Sequence, residues 1–157
     1  MTPETFQPLN CYFDKVYVLS LPHAKARQDN IVNVLDGLDW SYFWGADKKD
    51  YSFPEVMEQK VYDDRAHKST KRTSRSMNLG EVACALSHRN IYQSMLDEGH
   101  RRILILEDDV LPQYDQLQRF DEVMAQVPED WELLMLGYYG HKLPSLRYRI
   151  QKQIYRG

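Results

Sequence analysis

Cysteine is scarce in this sequence: 157 residues hold only Cys11 and Cys84. Thiols so few and so far apart make neither a disulfide framework nor a zinc pattern. They point to a reducing compartment. The opening MTPETFQPLN has no basic cluster and no apolar run, so no secretory signal is expected. No apolar stretch approaches the roughly 18 residues of a membrane span. A strong net charge is missing too. Lys and Arg number 20 against 23 Asp and Glu, a net charge of −3. That balance excludes a nucleic-acid footprint over the whole chain. The expectation is a cytoplasmic protein without a nucleic-acid partner.

Acids are absent after Glu132, where Lys142, Arg147, Arg149, Lys152 and Arg156 leave a +5 tail on a chain that is otherwise −8. If the tail is helical beyond Pro144, then Leu146, Ile150 and Ile154 share one face flanked by cations. Such a segment suits an anionic membrane surface. The other reading is the next stretch of a longer fold. The expected division is a domain over 1–140 and a basic tail over 141–157.

What is present suffices for a core. The chain is 43% hydrophobic and 12% aromatic, at the length of one ordinary domain. Residues 15–21 read as a strand, because Val16 to Leu19 are β-branched, aromatic and aliphatic. Ile31, Val34, Leu35 and Leu38 give 24–38 a helical stripe. Residues 40–44 read as a second strand, and 55–64 as a short helix. Residues 65–76, RAHKSTKRTSRS, are cationic and almost without apolar anchors, so they read as a mobile surface loop. A helix buried on several sides is expected over 79–97, closed by Gly99. A buried strand is expected over 102–106, a helix over 113–127, and a strand over 132–136. There is no internal repeat. The order argues for an α/β sheet with parallel strands.

Glu107, Asp108 and Asp109 directly follow the buried strand. Ligands of open α/β sheets bind beyond the carboxyl ends of the strands. Adjacent carboxylates repel unless a cation sits between them, and a hard divalent ion such as Mg or Mn fills that role. An ordinary acidic turn is the plain alternative. A strand ending in acids also opens receiver domains of bacterial response regulators. Those need a phosphoacceptor Asp at the end of a later strand and a Lys beyond it. The last Asp here is Asp130, in a turn before a strand, so too little chain remains.

Three stretches together resemble glycosyltransferase family 25, which includes bacterial lipooligosaccharide galactosyltransferases and collagen galactosyltransferases. They are VYVLSLPHAKARQDNI (16–31), LGEVACALSHRNIY (79–92) and ILILEDDVL (103–111). The pattern of Gly80, Glu81, Cys84, Ser87 and His88 is the most specific part. FWGADKKD (43–50) and WELLMLG (131–137) extend the likeness to about 15–138. His23 stands where the family has Arg, and Tyr92 where Trp is frequent.

The resemblance implies a GT-A-like nucleotide-binding sheet with flanking helices, its acceptor-binding half missing here. It implies transfer of galactose from a UDP-sugar to a hydroxyl of a cell-envelope glycan such as lipooligosaccharide. A truncated or inactive relative that binds nucleotide sugar without efficient transfer is the alternative. Carried over, Glu107 and Asp109 hold Mn or Mg, and Asp108 orients the donor. Ser20, Arg27, Asp47, Glu81 and His88 line the nucleotide site. The partners implied are a nucleotide sugar and a glycan or lipid-linked glycan. A divalent ion would offset charge on the departing diphosphate. No motif identifies the general base.

Each residue also has a plainer reading. His88 reads as a core histidine bonded to a loop, Glu81 as a partner of the helix dipole, and Ser20 as a strand-end hydroxyl. Arg27 reads as a surface charge, Asp47 as a turn residue, and Cys84 as a small core residue.

Overall fold

A computed structural model describes residues 3–65 and 75–137, and the backbone at 149–151 and 154–155. Strand β1 (Lys15–Ser20) is the axis of the fold. On one side it pairs in parallel with β2 (Ser41–Trp44), Tyr17 opposite Ser41 and Ser20 opposite Trp44. On the other it pairs in parallel with β3 (Ile103–Glu107), Lys15 opposite Ile103 and Leu19 opposite Glu107. The order β2-β1-β3 means that the chain steps one way after β1 and the opposite way after β2. The carboxyl ends of β1 and β3 therefore flank a topological switch point.

Both faces of β1 are covered, as its unbroken apolar run requires. Val16 and Val18 join Ile31 and Leu35 of α2 (Lys25–Val34) and its cap in the main core, with Leu104 of β3. Tyr17 alternates to the opposite face. There its hydroxyl meets Ser94 and Glu98, at the end of α4 (Leu79–Asp97). Helix α3 (Phe53–Glu58) contributes Val56 to a second cluster with Tyr62, Val82 and Leu86. Gly99, with φ of 72°, ends the run after α4, a left-handed position that glycine takes without steric cost.

The N-terminal helix α1 (Gln7–Tyr12) escapes the sequence reading, yet Phe6 and Leu9 are core residues. The expected helix at 113–127 is two short ones, α5 (Tyr114–Leu117) and α6 (Phe120–Met124). Tyr114 packs edge-on against Phe6, and Phe120 packs against Tyr12. Six residues apart, these rings would diverge by about 120° on a continuous helix. The break at Gln118 and Arg119 turns both inward.

Four further expectations need correction. Strand β3 is an edge of the described sheet, and only Leu104 of it is buried. Residues 132–136 form no strand; Leu133 and Met135 are 71% and 74% exposed. That segment makes no ladder with β3, so its apolar side chains gain no sheet face to cover them. Helix α4 is not buried all round, because Cys84 and Ala85 are exposed while Val82, Ala83 and Leu86 face inward. In the tail, β4 (Arg149–Gln151) pairs antiparallel with β5 (Ile154–Tyr155), so Ile150 and Ile154 do not share a helical face. Isoleucine and tyrosine favour this extended state. Leu146 lies outside the described residues. Among the described residues no helix is long and apolar enough to cross a membrane.

Candidate nucleotide-sugar site

A cleft of about 460 Å³ opens at the switch point, between the carboxyl ends of β1 and β3, the segment after β2 and the first turns of α4. Its floor is a buried polar cluster. Asp108, 4% exposed, accepts a hydrogen bond of 2.5 Å from Ser20 Oγ and pairs with Arg27 Nη1 at 2.8 Å. The Asp108 amide also donates to Leu19 O, which carries the β1–β3 ladder one step into the turn. Residues far apart in sequence are thus tied together. Arg27 is half exposed, with part of its guanidinium left toward the cleft.

The second wall follows β2. Gly45 donates to Ser20 O, and Ala46 donates to Ser87 Oγ of α4, itself bonded to Ala83 O. A Cβ on Gly45 would stand 2.9 Å from Leu19 Cδ1 and 3.0 Å from Ser87 Oγ. A side chain there would have to displace Leu19 or Ser87, so glycine eases the close approach of strand and helix. Asp47 accepts from the Lys49 amide and lies 3.4 Å from His23 Nδ1. Arg27, Lys48 and Lys49 line the cleft together with the acids Asp47, Glu107 and Asp108, and Asp108 is already paired with Arg27. The two adjacent lysines, Lys48 and Lys49, give one side of the cleft a local positive charge that suits a phosphate group.

Glu107 lines the third wall, and its carboxylate stands 3.5 Å from His88 Nε2. His88 is half-buried beside the cleft rather than sealed in the core. Cys84 also departs from its core reading: it is exposed and lines the cleft. Desolvation of its sulfur, and then the Glu107 charge, push the thiol above its ordinary range. Asp109 is exposed in the turn and outside the cleft lining.

Glu81 is not a lining residue either. It completes a capping box with Asn78 and takes a bidentate ion pair from Arg75. Arg65, at the other described end of the cationic loop, pairs with Asp63. Lys68, Lys71 and Arg72 lie outside the described residues. The sequence reading gave no role to His23, Lys48, Lys49 or Ser87. The Lys-Lys pair directly after Gly45-Ala46-Asp47 was the available signal.

The sequence matches the family described as glycosyltransferase family 25 (LPS biosynthesis protein) over residues 13–152. The chain belongs to glycosyltransferase family 25. Family 25 relatives include a glycosyltransferase 25 family member of Anopheles gambiae, 29% identical over 136 residues, 81% of this chain and 22% of the relative. Procollagen galactosyltransferase 2 of Homo sapiens is 22% identical over 130 residues, 80% of this chain and 21% of the relative. Inactive glycosyltransferase 25 family member 3 of Homo sapiens is 26% identical over 150 residues, 87% and 24% respectively. The chain spans between 16% and 24% of the length of these and similar relatives. No solved structure matches it significantly.

Proposed function

We propose that this chain is the donor-binding part of a glycosyltransferase and that the cleft takes a UDP-sugar. The observation that carries the reading is the buried Ser20–Asp108–Arg27 cluster at the carboxyl ends of β1 and β3. Asp108 is buried and Arg27 half exposed, so the pair holds a charged group at the cleft from a buried anchor. That anchor fixes a guanidinium at the mouth of the cleft, near Lys48 and Lys49, where a diphosphate would be held. Galactose as the sugar rests on the printed name of the procollagen relatives. A lipopolysaccharide-type glycan as acceptor rests on the family description. The basic tail would hold the chain at an anionic surface bearing such an acceptor.

The residues fit a divalent ion. Asp108 has both oxygens engaged, whereas Glu107 is exposed at the cleft with an imidazole beside it. Carboxylate oxygens suit Mn. Glu107, with His88 beside it, would hold the ion; Asp109 as its partner rests on the family resemblance. When bound, it would supply Lewis-acid charge to a departing diphosphate. The protein's own share is to position: Arg27 and the two lysines draw in the phosphates, and Gly45 keeps the wall close.

Calorimetry with UDP-galactose and Mn tests this reading. Binding that is lost in Asp109→Asn supports it. Equal affinity in that variant would sink the metal assignment, and no heat with either ligand would sink the donor site. Binding without galactose transfer to any acceptor would favour the second reading, a non-transferring relative. The inactive human family member gives that reading its footing.

A further inference from the structure

We infer a second metal chemistry at this cleft: Cys84, His88 and Glu107 form a binding site for a borderline-soft divalent ion such as zinc. The ligand atoms of these three residues lie within 4.8 Å of one another. Cys84 and His88 are one helical turn apart on α4, so both project from one face. Glu107 reaches the same point from the end of β3. Two ligands of a tetrahedral zinc, each about 2.0–2.3 Å from the ion, are roughly 3.3–3.6 Å apart. The His88–Glu107 pair is already at 3.5 Å, and a small turn of the exposed Cys84 closes the third side.

The donor set selects the metal. Thiolate with imidazole and one carboxylate suits zinc or cobalt, whereas Mn and Mg prefer oxygen. Binding sends the thiol proton to solvent, and water completes the fourth position. The site is reachable because Cys84 lies in the cleft wall. Glu107 is also the carboxylate assigned above to Mn, and bound zinc would engage it. Zinc would therefore exclude the donor's ion and close the cleft to UDP-sugar. That consequence rests on the donor-site reading; the zinc site itself does not.

Cobalt titration of the full chain tests the site. A thiolate-to-cobalt band in the near ultraviolet, bleached by added zinc, is the expected result. It should vanish in Cys84→Ser and persist in Cys11→Ser. Zinc affinity should fall about ten-fold or more in Cys84→Ser and in His88→Ala, with folding checked by circular dichroism. A band that survives Cys84→Ser, or unchanged zinc affinity in both variants, overturns the site. Zinc should also release Mn in proportion to the cobalt-titrated site. An intact cobalt band with no release of Mn would keep the zinc site and overturn the shared use of Glu107.

Discussion

Two adjacent acids in the same turn have opposite surroundings, and this separates their roles. Asp108 is buried against Ser20 and Arg27, whereas Asp109 is exposed. Asp108→Asn places an amide N–H₂ toward a guanidinium or removes the acceptor from Ser20. With Arg27 half in solvent, the expected loss is about 1–3 kcal/mol in urea denaturation. Asp109→Asn should change stability by less than about 0.5 kcal/mol while weakening Mn binding. Similar stability losses in both variants would refute the separation. Gly45 supplies the other residue-scale test. An added methyl meets Leu19 and Ser87 at or below 3.0 Å, so Gly45→Ala should cost about 1–3 kcal/mol by overpacking. A neutral outcome would mean that the β2 end and α4 separate easily, and that the cleft wall is soft.

At the scale of elements, β1 and β3 are joined at both ends by an aspartate. Asp108 fastens the carboxyl ends, and Asp14 fastens the amino ends. The Asp14 carboxylate accepts from the amides of Arg102 and Arg101, at 2.9 and 2.7 Å. Those amides, Arg102 first, hold its pKa below the ordinary aspartate range. A group whose pKa is lowered by folding stabilises fully above its unfolded pKa and loses that contribution as pH falls through the folded value. Asp14→Asn should therefore melt below the parent at neutral pH, and the two curves should converge as pH falls through and below the ordinary aspartate range. A gap that stays constant with acidification would show that the amides favour the oxygen and not its charge. The long α4 was legible from its start at Gly80-Glu81 and its stop at Gly99, whereas the Asn78 side of its capping box shows only in the structure. The pair α5 and α6 was not, because a five-position apolar stripe reads as one helix. Nothing local announces that Tyr114 and Phe120 must face the same core.

Over the whole molecule, the sheet was legible wherever apolar runs are short and bounded, as at β1, β2 and β3. Residues 132–136 carry the same signature but form no strand, because a run of apolar residues does not supply its own ladder partner. The cleft was half legible. Ser20, Arg27, Asp47, Glu107 and Asp108 follow from motif and strand-end position. His23, Lys48, Lys49 and Ser87 join them only through the packing of α4 against the end of β2. The cleft is thus assembled from four separated stretches, at 19–27, 45–49, 80–87 and 107–108. A ligand held by all four must stabilise the entire fold and not one element, since it binds only the assembled state. UDP at a hundred-fold excess over its dissociation constant should add about 2.7 kcal/mol of stability. Because Arg27, Lys48 and Lys49 line the cleft, the phosphates should carry most of that gain. Uridine at equal concentration should shift the melting temperature far less, and the UDP shift should shrink as salt screens exposed charge over about 10 Å. Thermal melts with both compounds at low and high salt measure this. Equal shifts from UDP and uridine, insensitive to salt, would mean that these three cations are incidental and that the base alone is recognised.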